Sequence, residues 1–282
     1  MFSMKYFLCS IALFSTLFTL IAVAEPKHSE MITTGEFHVA LALGYGGMEN
    51  PRAQAKSIET YVLPTWSYYG ERFYAENFTL GYSLHESDNL LLDIQTQLND
   101  DGIFFEFDGL NKLFMSDILG FTPIRLPITA KQPKFDEIER NISYLGGINA
   151  TWLTPFADIS LGYFHDISGV HQGNEIQLRL KRSVEYPWGA LGFQGGTVRK
   201  NQNILNYYYQ LTPEERGPIN PRYHPSATFN YYAKAVINVP LGENINFVGI
   251  LEYTWLGQDI TDSIMIDKDG YVSGFIGISY GF

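Results

Sequence analysis

Cysteine is almost absent from this sequence. The only one among 282 residues is Cys9, within the apolar stretch that opens the chain. A basic start at Lys5, an apolar run, and small residues at Ala22 and Ala24 predict a signal peptide over residues 1–24, cleaved after Ala24. An uncleaved anchor is the alternative. Without residues 1–24 no cysteine remains, which excludes disulfides, thiol catalysis and cysteine metal sites.

Long apolar runs and basic charge are also lacking. After Ala24 no run of eighteen apolar residues occurs, so the rest of the chain offers no helix that could span a bilayer. Helical periodicity is nearly absent as well. The formal net charge is −11. Because nucleic acid is bound through basic patches, this charge argues against nucleic acid as a partner.

Aromatic residues and glycine are abundant, with 19 Tyr, 20 Phe and 26 Gly. The last stretch, residues 270–282, alternates strictly. One face carries Phe282, Tyr280, Ile278, Ile276, Gly274 and Val272, and the other face is smaller and more polar. Such alternation over a membrane-spanning length is typical of the final strand of an outer-membrane barrel. An edge strand of a soluble sandwich is the alternative.

The same alternation recurs through most of the chain and predicts an all-β fold. We expect a transmembrane antiparallel β-barrel over residues 25–282, with long external loops near residues 101–141 and 200–225. Eleven candidate strands are visible, whereas such barrels normally have an even number. The prediction is therefore 10–12 strands, with twelve favoured and the extra strand near residues 102–107 or 204–209.

Two groups of polar residues deserve weighing as sites. A hydrolase site would need groups such as His165, Asp166, Ser168 and His171 to converge. Adjacent strand residues point to opposite faces, so His165 and Asp166 form no dyad by local geometry, and polar rim residues are the favoured interpretation.

The second group is the acidic loop that holds Asp259, Asp262, Asp267 and Asp269. Calcium is conceivable there, but no glutamate follows at the distance that a calcium loop requires, so a solvated loop is favoured. We therefore predict no catalytic, cofactor-binding or metal site.

Six charged residues are predicted to point into the lumen: Asp93, Glu175, Arg179, Lys181, Lys234 and Glu252. In a narrow barrel they would pair with one another and plug it, and in a wide barrel they would line a channel. Mixed signs at similar depth favour pairing.

Several motifs closely resemble the MipA/OmpV family. They are Leu63-Pro, Leu80-Gly-Tyr, Leu205-Asn-Tyr-Tyr-Tyr, Pro240-Leu-Gly, Trp255-Leu, Asp259-Ile-Thr-Asp-Ser-Ile and the closing Gly277-Ile-Ser-Tyr-Gly-Phe. Their order along the chain is the specific part of the resemblance. One departure is Asp262-Ser263-Ile264, where the family usually has Ser-Pro after the late Asp.

The resemblance implies a barrel in contact with outer-membrane lipid. For one branch of the family it implies a scaffold that ties a murein hydrolase, a lytic transglycosylase, to a murein synthase. The family supplies no catalytic residues. We therefore expect a non-enzymatic scaffold, with a small-solute channel or uptake barrel and a surface-exposed adhesin as alternatives.

Overall fold

Twelve antiparallel strands form a closed barrel. The computed structural model describes residues 34–105, 138–216 and 223–282. Each strand pairs with its neighbours in the sequence, and β12 closes the ring against β1. The strands are β1 (Phe37–Met48), β2 (Ile58–Tyr69), β3 (Phe73–Glu76), β4 (Thr79–Glu86), β5 (Leu90–Leu98), β6 (Tyr144–Leu153), β7 (Asp158–Asp166), β8 (Asn174–Tyr186), β9 (Gly189–Lys200), β10 (Thr228–Pro240), β11 (Ile245–Trp255) and β12 (Gly270–Gly281). The predicted signal peptide, residues 1–24, lies outside the described residues.

The described residues include the short helices α1 (Gln202–Tyr209), α2 (Pro213–Arg216) and α3 (Gln258–Thr261), which lie between strands. Residues 100–105 are helical as well. In the described part of the chain, no helix has the length and apolar character needed to cross a bilayer.

The two ends of the barrel differ in their connections. The end that holds Phe282, called here the terminal end, has short turns at residues 70–72, 87–89, 154–157, 187–188 and 241–244. The opposite end, the loop end, carries the helical segments and the long connections near residues 101–141 and 200–225. The parity of the strands predicts that the loop end faces the cell exterior.

The outer surface of the barrel is an apolar belt. Large hydrophobic side chains are exposed on nearly every strand, including Leu43, Tyr45, Leu80, Tyr82, Ile94, Ile148, Leu161, Tyr163, Ile176, Leu178, Leu180, Phe193, Phe229, Tyr231, Leu251, Ile276 and Ile278. An exposed apolar surface of this extent suits lipid rather than water. The predicted all-β transmembrane fold is confirmed.

Twelve strands were favoured, and twelve are present, but the extra strand lies elsewhere than expected. The apolar alternation over residues 74–84 has the pattern of a single strand, but this segment forms the hairpin of β3 and β4. The turn at residues 77–78 contains Asn77 with a φ of 48°, and the Asn77 carboxamide oxygen accepts the Trp66 N–H at 3.0 Å. A two-residue turn leaves the even-numbered apolar alternation intact, so the pattern hides it.

Both segments proposed for the extra strand are helical where the structure describes them, which corrects that expectation. The Asn99 side chain accepts the Asp101 N–H at 3.0 Å, and the Asn201 side chain accepts the Ile204 N–H. Asparagine in this position satisfies a free N–H of the first helical turn. An asparagine directly after each strand therefore starts a helix where a strand was expected.

The closing seam between β1 and β12 requires glycine at Gly44. This residue pairs with Gly277, and a Cβ atom on Gly44 would lie 2.0 Å from the Ile276 carbonyl oxygen. At Gly192 of β9 the nearest atom to such a Cβ would be 3.6 Å away, in Val236. The backbones at the seam thus approach too closely for a side chain.

We predict that Gly44→Ala opens the seam, because overpacking of this kind destabilises by about 1–3 kcal/mol. The measurement is heat-modifiable gel migration of the refolded protein, in which Gly44→Ala should lose most of the folded band. Gly192→Ala is the control and should fold normally. Equal folded fractions for the two variants would contradict the prediction.

Candidate functional site

A hydrophobic cluster fills the loop end of the barrel, and we call it the plug cluster. Its buried members are Phe104, Phe105, Ile138, Ile204, Leu205, Tyr208, Tyr209, Leu211, Ile260, Met265, Ile266 and Tyr271. Helix α1 contributes four of these residues, Ile204, Leu205, Tyr208 and Tyr209. Residues with this spacing lie on one face of a helix. The cluster therefore packs like a small globular core inside the mouth of the barrel.

Three connections supply nearly all the buried members of this cluster, and they follow β5, β9 and β11. In the closed ring of twelve, β5 and β11 are six strands apart and so lie on opposite sides. After β5, Phe104 packs edge-on against Tyr271 of β12, with ring centroids 4.9 Å apart. Segments from opposite sides of a rim meet only by crossing the opening, so the plug cluster spans the lumen.

Arg52, from the connection after β1, is buried in the plug and holds segments of it together. Its guanidinium donates to the carbonyl oxygens of Phe104 at 3.1 Å and Ile138 at 3.2 Å. It also lies 4.0 Å above the ring of Phe105, which is a cation–π contact. Arg52 thereby joins the two described ends of the chain on either side of residues 106–137.

A buried ion pair ties the connection after β5 to the end of β9. The Lys200 ammonium lies 2.5 Å from the Asp101 carboxylate, which also accepts a hydrogen bond from the Tyr209 hydroxyl at 2.5 Å. Glu175 of β8 lies 3.9 Å from the same ammonium and accepts from the Asn99 amide at 2.8 Å. Buried charges are tolerated when they are paired and hydrogen-bonded in this way.

Arg140 joins α1 to α2 on the outer side of the plug cluster. Its guanidinium donates to both carboxylate oxygens of Glu215, at 2.6 and 2.8 Å, and to the Tyr207 carbonyl oxygen at 2.6 Å. These hydrogen bonds from Arg140 lower the pKa of Glu215. The pair keeps the carboxylate charged and the two helices together.

Ser143, His171 and Asp166 approach each other at the edge of the plug cluster. The Ser143 hydroxyl is 2.8 Å from Nε2 of His171, and Nδ1 of His171 is 3.8 Å from the Asp166 carboxylate. Sequence reasoning singled out Asp166 and His171 but missed Ser143. No local signal could have found it, since Ser143 precedes β6 and meets His171 only through the fold.

The hydrogen bonds give this trio the wrong proton arrangement for a serine hydrolase. Nδ1 of His171 accepts the Gly173 N–H at 2.8 Å, so the ring proton lies on Nε2 and is donated to Ser143. A hydrolase needs the reverse arrangement, with the serine donating to Nε2. Ser143 is also fully buried. The trio therefore has the geometry of a structural network.

The other candidate site residues from the sequence do not converge on one site. The Asp166 carboxylate accepts the backbone N–H groups of Ser168, Gly169, His171 and Gln172 and so shapes the β7–β8 loop. His165 is exposed. Asp259 accepts from Ser226, at 2.8 Å from its N–H, while Asp262, Asp267 and Asp269 are exposed. Within the described ranges no three His, Cys, Asp or Glu side chains form a metal-binding group.

The lumen below the plug cluster is polar on the side of β8 to β11. Lys234 lies 3.6 Å from Glu252, with side chains one-quarter to one-third exposed, and Arg179 donates to Gln177. The charge pairing predicted for the lumen is present for Lys234 with Glu252, and Glu175 pairs with Lys200 rather than with another of the six predicted residues.

Known proteins share this chain's sequence pattern. The model of the family described as MltA-interacting protein MipA matches residues 41–282. YiaT, an outer membrane protein of Escherichia coli K12, is 22% identical over 253 residues, which cover 86% of this chain and 91% of YiaT. OmpV of Vibrio cholerae is 22% identical over 238 residues, 84% of each chain. The translocator domain of the autotransporter NalP from Neisseria meningitidis aligns over 90% of both chains, with 14% identity and a TM-score of 0.37.

Lys200→Met should destabilise the folded barrel by about 3–5 kcal/mol, because it leaves Asp101 buried without its cation. Urea-induced unfolding in detergent, followed by tryptophan fluorescence, measures the change. Lys268→Met is the matched control, since Lys268 lies 3.4 Å from Glu49 at the surface and such pairs contribute about 0–1 kcal/mol. Equal effects of the two substitutions would refute a structural role for the buried pair.

Acid should loosen the plug through His171. Burial lowers the pKa of His171 below its ordinary value of 6.5, because the folded protein favours the neutral ring. The contribution of the neutral ring to folding stability is therefore complete above pH 6.5 and is lost as the pH falls below that value. We expect the temperature of heat-induced gel shift to fall by about 2–4 °C between pH 7.5 and pH 5. His171→Gln should reduce this difference, whereas His165→Gln should preserve it. An undiminished difference in His171→Gln would exclude His171 as its source.

Proposed function

This chain belongs to the MipA family and lies in the outer membrane, and from this premise we propose that it is a non-enzymatic, non-conducting scaffold for murein-processing enzymes. The proposed partners are a lytic transglycosylase and a murein synthase in the periplasm. The family description, MltA-interacting protein, supports this class of partner. The barrel would hold these enzymes at the membrane surface.

One observation carries the non-conducting part of the proposal. The connections after β5, β9 and β11 meet across the mouth of the barrel, and the side chains at their junction are almost fully buried. A path for water and ions would have to pass through this core. The buried Lys200–Asp101 ion pair and the hydrogen bonds of Arg52 hold this core in place. The barrel would then act as a rigid anchor in the membrane.

The non-enzymatic part is supported by the Ser143, His171 and Asp166 network. Its serine is inaccessible, and its histidine holds the proton on the nitrogen that a hydrolase keeps free. These groups stabilise the plug and the β7–β8 loop, so their role is structural rather than catalytic.

A small-solute channel is the second candidate, and the partly exposed charged residues of the lumen favour it. Lys234 and Glu252 lie in a polar lumen below the plug cluster. If the plug were displaced, this lining would form a hydrophilic path. The channel and the scaffold differ in whether the resting barrel conducts ions.

We predict that the refolded protein is silent in a planar bilayer at neutral pH, because the plug cluster closes the lumen. The measurement is single-channel conductance of protein shown by gel migration to be folded, together with Lys234→Glu. Steady conductance that changes in Lys234→Glu would overturn the non-conducting proposal in favour of the channel.

The same preparation, immobilised in detergent, should bind a purified lytic transglycosylase through the terminal end. Phe156, in the turn at residues 154–157 of the terminal end, is 83% exposed. Phe78, in the turn of the β3–β4 hairpin and away from the terminal end, is 68% exposed. Phe156→Ser should weaken binding about tenfold, as loss of an apolar anchor does, and Phe78→Ser is the matched control. Wild-type protein that binds no transglycosylase would defeat the scaffold proposal.

A further inference from the structure

The barrel wall has a notch toward the loop end. The short strand β3 pairs with β2 only at residues Ser67, Tyr68 and Tyr69, and the hairpin turns back at residues 77–78. Residues 58–65 of β2 continue above it for about 25 Å along the strand. Among the residues that the structure describes, no strand pairs with this edge of β2.

The strands on both sides of the notch extend farther toward the loop end than the β3–β4 hairpin does. On one side β2 is paired with β1 as far as Ile58. On the other side β5 and β6 stay paired as far as Leu98 and Tyr144, while the ladder of β4 and β5 stops at Gln95. The notch is therefore bounded by residues 58–65, 77–78 and 96–98, and it is more than the ordinary stagger of tilted strands.

The free edge of β2 is poorly suited to pairing with another strand. The hydrogen bond from the Asn77 N–H to the Trp66 carbonyl shows that even-numbered residues of β2 direct their backbone groups toward the notch. Pro64 has no N–H to offer there. The Val62 carbonyl accepts the Thr60 hydroxyl at 2.7 Å. Proline and local hydrogen bonding are devices that blunt a strand edge.

The opposite edge is blunted by similar means. The Thr96 hydroxyl lies within hydrogen-bond distance of both the N–H and the carbonyl of Leu80, at 3.2 and 3.3 Å. The Tyr144 hydroxyl is 3.1 Å from Thr96 and also donates to the Phe78 carbonyl. Backbone groups that a bilayer would leave without partners are thus satisfied by side chains on this rim of the notch.

The lumen wall on the β2 side of the notch is apolar around Leu63. Ala42 is 4% exposed and pairs with Leu63, so both side chains lie on the inner face. Phe275 of β12 is buried on the same face, and Leu63 is the member that stays partly exposed. The β5 side carries the buried polar residues Asp93 and Gln95. An apolar molecule in the notch would therefore meet Leu63 first.

We propose that the notch is a lateral portal in which an acyl chain of an outer-leaflet lipid lies against Leu63. The partly exposed Leu63 and the exposed Val62 beside it, together with edges that offer few backbone partners, select a hydrocarbon chain over a β-strand. The position of the notch toward the loop end selects the outer leaflet. This inference is independent of the scaffold, since the plug cluster closes the axial path and the notch lies in the side wall.

Fluorescence quenching by brominated acyl chains tests the portal. The chain expressed from residue 25 has no cysteine, so Leu63→Cys labelled with bimane places one probe on the inner face behind the notch. Gln177→Cys places a matched probe on the inner face of β8, which pairs with β7 and β9 on both sides of that residue. Gel migration checks that both labelled proteins are folded.

In vesicles of brominated phospholipid, bimane at position 63 should be quenched at least about twofold more than bimane at position 177, since bromine quenches only on contact. Equal quenching at the two positions would overturn the portal. Quenching at position 63 that requires free brominated fatty acid, and is absent with brominated phospholipid, would overturn the assignment to a membrane lipid.

Discussion

A bilayer offers no hydrogen-bond partner to a backbone amide, and this constraint governs the whole structure. It requires a closed ring, which β1 and β12 complete at a seam where Gly44 and Gly277 face each other. It also explains the rim of the notch, where the hydroxyls of Thr60 and Thr96 bond backbone groups that lack a neighbouring strand and Pro64 has no N–H to satisfy. The departures from a regular barrel are thus compensated locally.

The alternation of side chains made the wall predictable. Outward residues such as Phe229 and Tyr231, and the inward pair Lys234 and Glu252, lie where a period of two places them. The hairpin of β3 and β4 was missed because its two-residue turn preserves that period. The notch was equally invisible, because a strand's own pattern is the same whether or not a neighbour pairs with it.

The plug was the least predictable part, and the reason is physical. Asn99 and Asn201 start helices through single side-chain hydrogen bonds, a weaker signal than the apolar pattern around them. The contacts of Asp101 with Lys200, and of Ser143 with His171, join residues far apart in the chain. Only the closed ring brings them together, so sequence reasoning could name Asp166 and His171 without finding their partners.

Arg52 has a consequence for how the chain tolerates change in length. One guanidinium binds the carbonyl groups of Phe104 and Ile138, so the chain departs and returns at nearly the same point. Whatever residues 106–137 contain, their ends are closed by a contact outside the segment. Doubling the length of such a loop raises its closure free energy by only about 0.6 kcal/mol. A change in the length of this segment should therefore cost little folding free energy while the barrel and its plug stay the same.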